Sequence, residues 1–169
     1  MSGPQIIFFI LAATITVFSI LAITSRVILR AAIYLLIVLV AMAGLYYMMN
    51  FQFLAAVQLM LYAGGIVVLI IFSILLTSQI NSKLDPPKMS HLLAGVVTAV
   101  GGTAFMSAII LHFAFSPTTR PAIGTDMHTI GRMLMDTKEF GYALPFEVIS
   151  VLLLAALVGS IFIARKDKI

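Results

Sequence analysis

Hydrophobic residues in this chain fall into long blocks separated by short polar segments. Five blocks can be drawn, at residues 4–24, 31–49, 53–78, 92–115 and 144–164. At about 1.5 Å per residue, each is long enough or nearly so to cross a hydrocarbon layer of roughly 30 Å as a helix. Residues 31–82 contain no Asp, Glu, Lys, Arg or His. As one helix that stretch would run roughly 75 Å, far more than one crossing. It therefore predicts a hairpin turning at Asn50, Phe51 and Gln52, with Tyr46 and Tyr47 near its tip, where amphipathic rings favour the interface.

The polar segments mark the ends of these spans. Arg26 and Arg30 lie in a loop between the first two blocks. Pro86 and Pro87, flanked by Lys83 and Lys88, stop the third helix and mark the water side. The long loop, residues 116–143, carries MHTIGRMLM, a pattern for a short amphipathic helix capped by Thr125 or Asp126, with Ile130, Met133 and Leu134 on one face. Three turns cannot span a membrane, so this helix is expected along the surface or against a partner. In the fourth block Gly95, Ala99, Thr103 and Ser107 recur every four positions, a close-packing stripe expected to touch another helix.

Composition sharpens the class. Of 169 residues, 62% are hydrophobic and 9% charged, where a soluble domain would carry about one quarter charged residues. The expectation is a single all-α, polytopic membrane domain over residues 1–169 with five transmembrane helices. The segment MSGPQIIFF lacks the basic start of a signal peptide, so the first block is expected to be a retained span. The net charge of +4 reads as topology rather than as a nucleic-acid footprint. Arg26, Arg30, Lys83, Lys88, Arg165, Lys166 and Lys168 fall on one side, and only Arg120, Arg132 and Lys138 on the other. The positive-inside rule then places the N-terminus outside and the C-terminus in the cytoplasm.

The chain has no cysteine, which excludes disulfides, iron–sulfur ligation and a thiol nucleophile. His91, His112 and His128 are widely spaced and form no metal-ligand pair, so no metal site is expected. His112, near the far end of the fourth block, reads as an interfacial histidine. No Lys or Asp lies within a span, and a self-sufficient pump needs ionisable groups there. The chain is therefore expected to work inside something larger, with no catalytic site of its own.

Two places remain where chemistry could live. In the third block Gln58 and Tyr62, four apart, share a helix face and are followed by Gly64 and Gly65. Two adjacent glycines weaken a helix by about 1 kcal/mol each relative to alanine. They suit a kink, the close approach of a neighbour, or a π-bulge with one extra residue in a turn. The other place is Glu147, behind Pro145 and Phe146. It reads either as an acid in the first turn that complements the helix dipole, or as a carboxylate at the mouth of a hydrated path.

Two stretches carry a resemblance. Phe53-Leu54-Ala55-Ala56-Val57-Gln58 running into Leu61-Tyr62-Ala63-Gly64-Gly65-Ile66, together with Gly131-Arg132-Met133-Leu134 and Leu144-Pro145-Phe146-Glu147-Val148, resembles subunit J of bacterial NADH–quinone oxidoreductase. This is respiratory complex I, and the family is that of chain 6 of the mitochondrial enzyme. The resemblance implies a non-catalytic membrane-arm subunit of a proton-translocating enzyme in a bacterial inner membrane. NADH, FMN, iron–sulfur clusters and quinone would be bound by other subunits. The partners would be the neighbouring small subunits and the antiporter-like subunits, within the lipid bilayer. It also implies a π-bulge in the third helix that helps couple quinone reduction to proton translocation, with Tyr62, Ala63, Gly64 and Gly65 as its candidates. Gln58 stands where some relatives have glutamate, and Gly65 where relatives often have alanine. Rival readings are the homologous subunit of a multisubunit cation/proton antiporter or membrane-bound hydrogenase, a stand-alone transporter, or a purely structural scaffold.

Overall fold

The computed structural model describes residues 2–77, 84, 86, 88–114, 124–138 and 141–165. Lys83, Arg120, Glu139, Lys166 and Lys168 lie outside the described residues. Those residues form helices α1 (Gly3–Thr24), α2 (Ile28–Met48), α3 (Gln52–Leu76), α4 (Met89–His112), α5 (Met127–Met135) and α6 (Ala143–Ala164). All but α5 are long and apolar enough to cross a membrane.

Local chemistry sets the ends. The Ser2 N–H donates to Gln5 Oε1 at 3.0 Å, and Pro4 sits in the first turn of α1, where its missing donor costs nothing. α2 begins at Ile28, earlier than the hydropathy pattern predicts, so Arg30 is a helical residue rather than a loop residue. A long guanidinium can leave the helix surface and reach water while its stem stays on apolar ground. The end of α2 is a Schellman turn: Phe51 N–H donates to the Tyr46 carbonyl (2.9 Å) and Asn50 N–H to the Tyr47 carbonyl (3.1 Å). Asn50 takes the left-handed conformation this needs, with φ 62°. Within the spans, Thr14, Thr16, Thr98 and Thr103 donate to carbonyls one turn back, which satisfies their hydroxyls without water.

Packing is uneven. α1 lies along α2, and α2 along α3, as consecutive antiparallel helices joined by short turns. The buried residues are small: Ala32, Ala41, Ala43, Ala55 and Ala63, with Val67 the largest. Gly44 lets Leu11 of α1 approach so closely that an added Cβ would sit 3.2 Å from its methyls. With lipid as apolar as leucine, close backbone approach of this kind is what holds helices together. The Phe18 and Tyr34 rings also meet across α1 and α2, with centroids 5.8 Å apart.

The rest of the chain packs little. α5 lies against α6. α6 has large apolar side chains exposed around its whole circumference. Among the described residues no helix lies along α4. Its small-residue stripe, expected to touch another helix, is open apart from Ile23 of α1 near Gly95 and Ala99.

Candidate functional site in the third helix

α3 is not a uniform helix. Residues Gln52–Val57 and Val67–Leu76 are α-helical, and Gln58–Ile66 between them is a π-helix. The wide turns run through Val67, whose N–H donates to the Tyr62 carbonyl five residues back. Such stretches are rare and tend to occur at functional sites. Tyr62, Ala63, Gly64 and Gly65 all lie inside this one, and Gln58 opens it.

Glycine matters at one of these positions in particular. A Cβ on Gly64 would stand 3.1 Å from the Leu59 carbonyl oxygen, tighter than ordinary contact. On Gly65 the corresponding distance, to the Met60 carbonyl, is 3.4 Å. The wide turn therefore crowds position 64 and only touches position 65.

The π stretch changes which side chains face α2. Ala55, upstream of it, is buried. Two α-helical turns take about 7.2 residues, so a straight helix would carry Tyr62 and Ile66 onto the face of Ala55. The covered residues are instead Ala63 and Val67, 5% and 3% exposed, while Tyr62 and Ile66 are 47% and 50% exposed. The wide turns have absorbed one extra residue and turned the second half of α3 accordingly.

A groove of about 590 Å³ runs between α2 and α3 just before this stretch. Val40, Ala43 and Tyr47 line one wall, with Gln52, Ala55 and Leu59 on the other. Gln58 and Tyr62 are not joined by a side-chain hydrogen bond among the described residues.

Glu147 is elsewhere. α6 starts at Ala143, behind Tyr142, which places Glu147 in the second turn rather than the first. The dipole of the helix start acts mainly within the first turn, so its pull on Glu147 is reduced. Glu147 lines a cleft of about 360 Å³ with Asp136, Lys138 and Gly141, and the structure does not bring it to Gln58 or Tyr62. Among the described residues no three His, Asp or Glu side chains converge as metal ligands would.

The loop side carries two residues whose pairing sequence reasoning did not find. Asp126 caps α5, accepting from the Thr129 hydroxyl (2.7 Å) and the Thr129 N–H (3.0 Å). Those two bonds hold its carboxyl below the usual aspartate range. That leaves the Thr125 hydroxyl free to donate to the Asn50 carbonyl at 2.9 Å, which ties the lead into α5 to the turn between α2 and α3. The signal for Asn50 was its type, since asparagine tolerates the left-handed residue after a helix.

Residues 18–163, from within α1 to the end of α6, match the family described as NADH-ubiquinone/plastoquinone oxidoreductase chain 6. The chain belongs to that family. Chain 6 proteins are membrane subunits of complex I-like enzymes, and the matched region contains the whole π stretch and Glu147. F(420)H(2) dehydrogenase subunit J of Methanosarcina mazei is 34% identical over 169 residues, covering 95% of this chain and 90% of that protein. NAD(P)H-quinone oxidoreductase chain 6 of Nostoc sp. is 34% identical over 172 residues, 98% of this chain and 81% of that one. The chloroplastic subunit 6 of Mesostigma viride is 34% identical over 132 residues, 77% of this chain and 67% of that protein. As a chain 6 protein, this chain is a multi-pass membrane subunit of a multisubunit oxidoreductase.

Proposed function

We propose that this chain is the membrane-arm subunit in which α3 acts as a conformational gate, coupling quinone reduction to proton translocation. The observation that carries this reading is the one-residue phase shift between Ala55 and the Ala63–Val67 pair. Straightening Gln58–Ile66 to α-helix would bring Tyr62 and Ile66 toward α2 in place of Ala63 and Val67. A phenol would then enter a face now lined by alanine, beside the groove that ends at Leu59. Such a change alters the space available to water without altering any charge in this helix, since Gln58 does not titrate. On this reading the chain supplies no catalytic group, and NADH, FMN, iron–sulfur clusters and quinone are held by neighbouring subunits. The excess of Lys and Arg on the side of the α1–α2 connection supports a cytoplasmic C-terminus, and the bacterial inner membrane rests on the resemblance.

The gate is tested by replacing Gly64 and Gly65 with leucine. Leucine is a better helix former than glycine, and at position 64 its Cβ crowds the Leu59 carbonyl in the π form. In inverted membrane vesicles, NADH oxidation with an artificial acceptor should stay near wild type while proton uptake coupled to quinone reduction is lost. Normal pumping in a fully assembled complex would refute the gate.

The electron donor needs its own test, because relatives at equal identity bear names with different donors, F(420)H(2) and NAD(P)H. Affinity purification of the tagged chain from mild detergent, with mass spectrometry and an NADH–quinone assay, decides it. Flavin and iron–sulfur subunits with NADH activity support the reading above. Antiporter-like subunits without an NADH-oxidising arm would place the chain in a cation/proton antiporter or hydrogenase.

A further inference from the structure

At the end of the molecule opposite Asn50, α1, its connection to α2 and the first turns of α2 enclose a cleft of about 360 Å³. Arg26, Arg30 and Tyr34 line it together with Thr24 and Ser25, and among the described residues no acid lines it. The donors in this cleft are unequal. The Thr24 hydroxyl is spent on the Ile20 carbonyl (2.7 Å) and the Ser25 hydroxyl on the Val27 carbonyl (3.1 Å). Among the described residues the two guanidiniums and the Tyr34 hydroxyl remain, and the Tyr34 ring meets that of Phe18. A site whose remaining groups are two cations and a phenol calls for a ligand that is anionic and rich in acceptors. Arginine forks match the oxygens of a phosphate.

The surroundings select the source of that phosphate. Leu21 forms part of the cleft, and Ile20, Ile23, Ile28 and Ile33, on the adjoining turns of α1 and α2, are exposed apolar side chains. A soluble anion has no use for such a rim, whereas an amphiphile does. The two arginines stand at the end of a pair of membrane-crossing helices, the depth at which headgroups lie. We propose that this cleft binds the phosphodiester headgroup of an anionic phospholipid, with its acyl chains along the exposed faces of α1 and α2. The site is independent of the gate in α3.

The test uses the assembled complex reconstituted in vesicles containing a small amount of phosphatidylglycerol with a photoactivatable group near the headgroup, or the same probe on phosphatidylcholine. Labelled peptides are mapped by mass spectrometry. Residues 21–34 should be labelled several-fold more by the phosphatidylglycerol probe, and excess inorganic phosphate should not compete. Each arginine near a membrane surface contributes at most about a fivefold preference for anionic lipid, so R26Q/R30Q should reduce labelling several-fold, down to the level of the phosphatidylcholine probe. R26K/R30K, which keeps the charge but loses the fork, should retain part of it. Equal labelling by both probes, unchanged labelling in R26Q/R30Q, or displacement by inorganic phosphate would each overturn the proposal. So would a complete absence of label in residues 21–34, the result expected if a partner chain fills the cleft. If R26Q/R30Q fails to assemble, the two-probe comparison on the wild-type complex still decides.

Discussion

The Thr125 hydroxyl donates to the carbonyl of Asn50, 75 residues earlier in the chain, at 2.9 Å. It fastens the lead into α5 to the turn from which α3 sets out. Replacing Thr125 with valine removes the donor and keeps the shape. A loss of about 1 kcal/mol is expected, read as faster hydrogen exchange of the Asn50 and Phe51 amides in the assembled complex. Asn50→Gly should be tolerated, because glycine takes a positive φ freely. Asn50→Val should cost about 1–2 kcal/mol.

The two glycines of α3 should respond differently to a single methyl. Alanine stabilises helix over coil at either position by close to 1 kcal/mol, but only at Gly64 does the new Cβ crowd a carbonyl of the π form. Gly64→Ala should therefore shift α3 toward a straight helix more than Gly65→Ala does. The chain contains no cysteine, so single cysteines at Ala63, Ile66 and Val67 can report the phase. With wild-type glycines, position 66 should react with a membrane-permeant maleimide faster than positions 63 and 67. Gly64→Ala should narrow that difference, and an unchanged difference would mean that α3 has not turned.

Gly141 is required for a steric reason. A Cβ there would collide with the carbonyl of Asp136, in the turn where Ala143 N–H donates to that same carbonyl (3.3 Å). Gly141→Ala should destabilise the α5–α6 connection by about 1–3 kcal/mol. The expected result is faster limited proteolysis between α5 and α6, while cleavage elsewhere is unchanged.

Asp126 sets a pH dependence. Its folded-state pKa is lowered, first by the Thr129 hydroxyl and then by the Thr129 N–H. A carboxylate of this kind adds stability above its unfolded pKa and loses it as pH falls through the folded value. The α5 cap should thus hold at neutral pH and weaken only at pH values below about 4. The protection factor of the Thr129 amide should fall across that range, and in Asp126→Ala it should be low at every pH.

The spans were legible because burying polar backbone in hydrocarbon leaves helices as the simplest solution for long apolar blocks. Their limits were less legible where one side chain escapes the pattern. Arg30 looks like a loop residue by charge but is helical, and Glu147 sits one residue deeper, in the second turn, because α6 starts at Ala143. In α3 the glycine pair revealed a weak place but not its form. A kink, a close neighbour and a π stretch all use glycine, and the choice rests on the fit of Ala63 and Val67 against α2, which hydropathy does not record. The Thr125–Asn50 bond was out of reach for the same reason: each residue is unremarkable locally, and only the folded chain brings them together.

The bare surfaces of α4 and α6 bear on how the cell must handle this subunit. Among the described residues no helix lies along α4, and α6 lies against the short α5, so their positions depend on the proteins they meet during assembly. Synthesised in excess, the chain would present them to membrane proteases as an orphan. Its steady-state amount should then follow that of its partners, with surplus copies removed rather than stored.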